Sequence, residues 1–225
     1  MRDAPGEVTG DPADTAGSGG GVRQARKLRT RQALLAAALR LLERQSLSSL
    51  GLREVARETG IAPAAFYRHF PDITALGVAL VEESFGSLRA MVREIRVQDG
   101  DVDGMIARSV DLIAHHVHEH PAHFRFLARE RHGGVEAVRT AIRAELDGFV
   151  RDLVVDLSRQ PASAGWPTGE VRILAELYVN LTILTATAIL DAAAGAHRDE
   201  QAILEAARMQ LRLIALGRRH WRDGD

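Results

Sequence analysis

Apolar residues recur along the chain at helical spacing. Leu34, Leu35, Ala38, Leu41 and Leu42 form one stripe, which predicts an amphipathic helix over about residues 24–45. The same period returns over about 52–59, 63–70, 73–96, 102–119, 122–131, 135–159, 169–194 and 199–221. Between these segments stand Gly60, Asp99-Gly100, Pro121, Gly133-Gly134, the run from Pro161 to Pro167, and Gly195, the residue types that end helices. Period-two alternation is nowhere sustained, so the pattern predicts an all-α chain of nine helices. Residues 1–21 hold almost nothing that a core would bury, and the pattern predicts a disordered arm there. The glycine-rich run from Gly17 to Gly21 follows no strand and reads as linker, not as a phosphate-binding loop. No repeat of 20–50 residues points to a solenoid.

The pattern divides the helical part into two units, 22–71 with three short helices and 72–221 with longer ones. Asp72 is placed to cap the helix that joins them. The last two helices carry more apolar surface than one face can use. Ile173, Leu174, Leu177, Leu181, Ile183, Leu184, Ala188 and Ile189 spread around one; Ile203, Leu204, Ala207, Leu211, Ile214 and Ala215 lie along the other. Such faces need a partner, and pairing across a two-fold axis into a homodimer is the expected use, with burial inside one subunit as the alternative.

Composition removes several classes of chemistry. The 225 residues include no cysteine, which excludes thiol nucleophiles, cysteine-ligated metals and disulfides. The 14-residue uncharged run Leu177 to Leu190 contains Asn180, Thr182, Thr185 and Thr187, and is too short and polar for a membrane span of about 20 residues. No basic and apolar leader follows Met1. A soluble cytoplasmic protein with no membrane partner is expected. The net charge of −1 hides a strong asymmetry: residues 22–70 hold ten basic residues against Glu43, Glu54 and Glu58, a net +7, between an acidic arm and an acidic remainder. A basic segment of this kind is either a polyanion-binding surface or a solvated face.

Within it lies Leu52-Arg-Glu-Val-Ala-Arg-Glu-Thr-Gly-Ile-Ala-Pro-Ala-Ala-Phe-Tyr-Arg-His-Phe70. Leu52, Val55 and Ala56 give one apolar face to a two-turn helix, Gly60 supplies a left-handed residue at its end, and Pro63 begins a second helix where its missing N–H costs nothing. This is helix-turn-helix spacing. The second helix of such a pair enters the major groove and its flanks rest on phosphates. Ala64 and Ala65 can offer apolar contacts to a base, Arg68 is the candidate for a guanine edge, and Tyr67 and His69 suit phosphates, with Arg29, Thr30 and Arg53 as further backbone contacts.

Thr30-Arg-Gln-Ala-Leu-Leu-Ala-Ala-Ala, Leu52-Arg-Glu-Val-Ala, Thr59-Gly-Ile and Phe66-Tyr-Arg-His-Phe70 resemble the N-terminal domain of the TetR family of bacterial transcriptional regulators. The resemblance implies a recognition helix carrying Ala64, Ala65, Tyr67, Arg68 and His69, a homodimer, and a near-palindromic double-stranded DNA operator. This chain has Gly51 where many members place a capping Ser or Thr, and Ile73 where many have a phosphate-contacting Lys. Ile61 to Phe70, Leu76-Gly77, Phe124-Arg-Phe-Leu-Ala-Arg-Glu-Arg131 and Val138-Arg-Thr-Ala-Ile142 resemble a narrower branch that represses unsaturated fatty-acid biosynthesis and desaturation genes and senses long-chain acyl-CoA.

Few aromatic residues remain for 71–225, so a pocket there would be aliphatic, which suits an acyl tail. Phe124, Leu127, Arg129, Phe149, Leu177, Leu181 and Leu184 are the candidate ligand-binding residues. Arg125, Arg129 and Arg131 could hold coenzyme A phosphates or form a surface network with neighbouring acids. His115, His116, His118, His120 and His123 cluster, but without a metal-site pattern, and read as a solvated rim. No cofactor, metal or enzymatic motif is expected. The whole reads as a ligand-responsive DNA-binding repressor of fatty-acid genes. The alternatives are a TetR-type regulator of another hydrophobic effector, such as an efflux regulator, and a helical lipid- or metal-binding protein that never touches DNA.

Overall fold

The computed structural model describes residues 18–96, 102–195 and 199–221. Nine α-helices and no strand occur among them: α1 Ser18–Leu42, α2 Leu52–Glu58, α3 Pro63–Phe66, α4 Ile73–Arg96, α5 Val102–Glu119, α6 Pro121–Glu130, α7 Glu136–Ser158, α8 Thr168–Ala193 and α9 Glu200–His220. Two short 3₁₀ turns, Leu47–Ser49 and Pro161–Ser163, fall where the spacing predicts only loop.

The boundaries follow local chemistry. Gly60, at φ 68°, takes the left-handed conformation that closes α2, and the Ile61 N–H donates back to the Ala56 carbonyl. Asp72 Oδ1 accepts the Ala75 N–H at 2.7 Å, the expected cap of α4. α3 is shorter than the predicted 63–70: after Phe66 the chain continues as turns, and Phe70 precedes Pro71, which disfavours helix at the residue before it. α1 differs most, beginning at Ser18, about six residues before the predicted start. Residues 18–21 therefore belong to a helix and not to the expected arm, because the helix formers Arg, Gln, Ala, Lys and Leu at 23–28 carry the coil back through the glycines. The rest of that arm, residues 1–17, lies outside the described residues.

One core runs across the boundary between the two predicted units. Leu34, Ala37 and Ala38 of α1, Val55 of α2 and Phe66 of α3 pack with Leu76, Leu80 and Phe85 of α4, Phe126 of α6, and Val138 and Ile142 of α7. Each fully buried Leu or Phe contributes about 1.5–3 kcal/mol relative to exposure, so these contacts fix α4 and α6 firmly against the helix-turn-helix. Gly77 on α4 makes the approach close enough: a Cβ there would lie 2.4 Å from Leu47 Cδ2. Smaller cores join α5, α8 and α9, and α7 with α8. Counted over its 26 residues and not over the uncharged run Leu177 to Leu190 alone, α8 is long and apolar enough, by length and composition, to cross a membrane, which corrects the expectation drawn from that run. Its apolar sides have three different uses: Val171, Leu174 and Ala175 are core, a second side lines a cavity, and Ile173, Leu177 and Leu184 face outward.

Candidate DNA-binding interface and buried cavity

The helix-turn-helix separates adjacent side chains by function. Phe66 is fully buried against Phe70, with ring centroids 5.8 Å apart, whereas Tyr67 beside it is 60% exposed. Ala64 and Arg68 are exposed, Ala65 and His69 half-buried. Ala64, Ala65, Tyr67, Arg68 and His69 thus share one segment with a solvent-facing surface. Arg29 and Arg53 are exposed on neighbouring helices; Thr30 is half-buried, and its hydroxyl donates to the Arg26 carbonyl at 3.0 Å.

Arg31 ties α1 to this segment. Its guanidinium sits 4.3 Å from the centre of the Phe70 ring and donates to the His69 carbonyl. In the sequence Arg31 stands out only as charge, and its place inside the basic run is the one signal of this role. His69 is held below the ordinary histidine pKa by burial, and further by Lys27, Arg31 and Arg68 around it. Its ring is therefore neutral at pH 7, with a buried Nδ1 that has no hydrogen-bond partner. The basic charge is largely uncompensated: among the described residues Arg40 pairs with Glu58, while no ion pair involves Arg23, Arg26, Lys27, Arg29, Arg53, Arg57 or Arg68. An unpaired cationic surface beside an exposed helix-turn-helix segment is an electrostatic complement to a phosphate backbone.

A cavity of about 200 Å³ lies in the second unit. Phe85, Leu88 and Val92 of α4 wall one side, Phe124, Leu127 and Ala128 of α6 another, Ile142, Leu146, Phe149 and Leu153 of α7 a third, and Tyr178, Val179, Thr182, Ile183 and Ala186 of α8 the fourth. Arg131, at the end of α6, is the one charged residue lining it among the described residues. The hydroxyl of Thr182 donates to its own helix, at the Tyr178 carbonyl. Burial pushes the Tyr178 hydroxyl pKa up, against the opposing charge of Arg218, and keeps it protonated. The cavity therefore presents an apolar body with one cation and one phenol.

Of the residues expected to bind ligand, Phe124, Leu127 and Phe149 line this cavity; Arg129, Leu177, Leu181 and Leu184 do not. Leu177 and Leu184 stand on the outward side of α8, and Leu181 is half-buried away from the cavity, because successive leucines on a helix point to different sides. Arg129 turns the other way and donates to backbone carbonyls at the end of α1. Arg125 lies 4.0 Å from Glu43, so of the three arginines only Arg131 reaches the cavity. The α4 wall, and the α7 wall apart from Phe149, are not legible in the spacing: stripes such as 142, 146 and 153 read alike whether they face a core or a void.

The rings of His116, His120 and His123 lie close together, with centroids 4.6 Å apart for His116 and His120 and 5.8 Å for His120 and His123. His118 bonds Glu200 at 2.9 Å, His123 lies 3.9 Å from Glu83, and His116 stands near Ser87 with its pKa lowered by burial and by His120, His115 and His123. Among the described residues no group of three His or acidic side chains is placed to hold a metal ion.

α8 and α9 each carry exposed apolar residues, Ile173, Leu177 and Leu184 on one and Met209, Leu213 and Leu216 on the other.

Residues 34–80 match the family described as bacterial regulatory proteins, tetR family. Solved structures share the architecture over most of the chain. A putative TetR-family transcriptional regulator from Syntrophomonas wolfei is 13% identical, with a TM-score of 0.69 over 83% of this chain and 95% of that one. The transcriptional regulator FadR from Bacillus subtilis, solved with stearoyl-CoA, is 15% identical, with a TM-score of 0.66 over 83% and 98%. The fatty acid degradation regulator FadR from Bacillus halodurans is 16% identical, with a TM-score of 0.63 over 80% and 93%. Residues 34–80 thus match a TetR-family N-terminal domain, and the all-helical architecture around them is shared with these solved regulators.

Proposed function

We propose that the protein is a homodimeric repressor whose hold on a near-palindromic operator is set by a fatty acyl-CoA thioester. In this reading residues 22–71 bind DNA and residues 72–221 bind effector and form the dimer. The observation that carries it is the aliphatic cavity with Arg131 as its single charge: an acyl tail suits the body, and Arg131 offers a fork to a carbonyl or phosphate oxygen. The resemblance of Phe124 to Arg131 to the fatty-acid branch, and the architecture shared with a regulator solved with stearoyl-CoA, support the same effector class.

Arg68 reads a guanine, Ala64 and Ala65 meet thymine methyls, and Tyr67, His69, Arg29, Thr30 and Arg53 hold phosphates. The exposed apolar surfaces of α8 and α9 pair across a two-fold axis and set two recognition helices about 34–36 Å apart.

The cavity volume gives the effector its leverage. An engineered void of about 150 Å³ takes up benzene, so about 200 Å³ holds only part of a long acyl chain. A long-chain acyl-CoA whose tail packs against Phe85, Leu88 and Val92 of α4 can bind one helix spacing better than another, which is the condition for it to shift DNA affinity. Each buried methylene supplies about 0.8 kcal/mol toward that preference.

Anisotropy titration of DNA from upstream of the gene, with palmitoyl-CoA and oleoyl-CoA, tests this. Operator affinity should fall steeply with salt and shift by about fivefold or more with at least one thioester. Loss of salt dependence removes the DNA reading; unchanged affinity with both thioesters removes the effector alone.

A further inference from the structure

Among the described residues, α6 is the one helix whose cavity-lining residues are interleaved with direct bonds to the backbone of residues 22–71. Leu127, Ala128 and Arg131 line the cavity. Between them, Arg129 and Glu130 reach the opposite way. Arg129 Nη1 donates to the Leu42 carbonyl at 2.5 Å and to the Gln45 carbonyl at 2.8 Å. Leu42 is the last residue of α1, where helix carbonyls have no partner within the helix and the helix dipole is negative. Glu130 Oε1 accepts the Leu47 N–H at 3.0 Å, at the first residue of the 3₁₀ turn Leu47–Ser49, where the N–H groups have no partner within the turn. Two consecutive side chains of opposite charge thus meet two helical ends of matching opposite polarity, on either side of residues 43–46.

The Glu130 contact is a constrained one. Glu130 is 1% exposed, and its Oε2 is buried with no hydrogen-bond partner. A Cβ on Gly133 would lie 2.1 Å from that oxygen. A carboxylate enclosed in this way keeps its single bond to Leu47 only while α6 stays in register with the 3₁₀ turn. Leu47 is itself buried, against Gly77 of α4. Any displacement of Leu127 and Ala128 by cavity contents therefore passes to Arg129 and Glu130 within the same helical turn.

We infer that Arg129 and Glu130 are the positioning residues that transmit the state of the cavity to the DNA-binding unit, through the end of α1 and the start of the 3₁₀ turn. This rests on the proposed effector-controlled operator binding. α4 offers a second connection, since Phe85 and Leu88 line the cavity and its first residue adjoins the helix-turn-helix; the two routes differ in what Arg129 and Glu130 do to the coupling.

A double-mutant cycle on the full chain separates them without an identified ligand. Ala186→Leu fills part of the cavity from the α8 wall, without altering α6 itself, and serves as a built-in occupant. Operator affinity is measured by anisotropy on a duplex selected from random sequence, for the wild type, Ala186→Leu, Arg129→Gln and the double variant. The expected result is a change of about fivefold or more on filling the cavity in the wild type, and of less than about twofold in the Arg129→Gln background. Glu130→Gln, which keeps the acceptor for Leu47, should retain the coupling, whereas Glu130→Leu should lose it; a purely structural role would lower Tm in these variants and leave the ratio alone. If Arg129→Gln does not fold, Arg129→Lys replaces it, and its single point donor should also reduce the ratio. Additive effects in both backgrounds, or no effect of Ala186→Leu in the wild type, overturn the proposal. A wild type that selects no duplex overturns the DNA-binding reading instead.

Discussion

Phe66 and Tyr67 are neighbours in the recognition segment whose replacement by alanine should have opposite consequences. Phe66 is fully buried, with its ring against Phe70 in the core shared by α1, α2 and α4. Truncating a phenylalanine in such a site costs about 3–5 kcal/mol, from lost transfer energy and the void left behind. Against a total stability of about 5–15 kcal/mol, that loss lowers the urea midpoint substantially. Tyr67 is 60% exposed and touches Phe66 only edge-on, at 6.2 Å between ring centres. Tyr67→Ala should change stability by no more than about 0.5 kcal/mol. If Tyr67 donates to a phosphate, its loss removes one neutral hydrogen bond, about 0.5–1.5 kcal/mol, and weakens DNA binding about two- to tenfold at constant specificity. Urea unfolding followed by circular dichroism gives the first quantity and anisotropy on operator and random duplexes gives the second. Equal stability losses in the two variants, or a Tyr67→Ala protein that binds DNA like the wild type, would refute this division of the segment into a core side and a DNA side.

Arg68→Ala should weaken specific binding more than non-specific binding, by about 1–3 kcal/mol at one base position; equal losses on both duplexes make it a phosphate contact. Leu184→Glu, on the outward side of α8, should shift sedimentation toward a monomer and weaken operator binding with it, while an unchanged dimer would place the interface elsewhere. Both His69 and His116 have pKa values lowered below 6.5, chiefly by burial, so folding favours their neutral forms. The unfolded chain then binds more protons, and stability should be complete above about pH 6.5 and decline as pH falls through the lowered folded values. Urea midpoints across pH 5–8 test this, and the double variant His69→Asn, His116→Asn should flatten the profile; a profile as steep as the wild type's would show that other groups control it.

The parts of this protein legible in the sequence are those that depend on neighbours in the chain. The helical stripe at Leu34 to Leu42, the glycine that closes α2 and the Asp72 cap are all local, and each stands where the spacing predicts it. The start of α1 was not legible, because helix propensity in Arg23 to Leu28 extends through glycines that read as linker by composition. The cavity was legible in character and only partly in membership. Phe124, Leu127 and Phe149 face it, but Leu177 and Leu184 have the same chemistry and face outward, and which side of α8 meets α7 is a tertiary fact. Arg129 shows the limit best. An arginine beside apolar residues looks equally suited to a ligand phosphate and to a helix end, and its orientation depends on α1, 87 residues away in sequence.

The absence of native cysteine allows the central claim to be tested by distance. A single spin label at Ala64→Cys, on the exposed side of α3, reports the separation of the two recognition helices in a dimer. Pulsed dipolar spectroscopy on the operator complex should give a distance consistent with about 34–36 Å between successive major grooves, and whichever of palmitoyl-CoA and oleoyl-CoA shifts operator affinity should move or broaden it. A sample with no dipolar coupling, or a distance that stays the same with and without the thioester while operator affinity changes, would contradict the account.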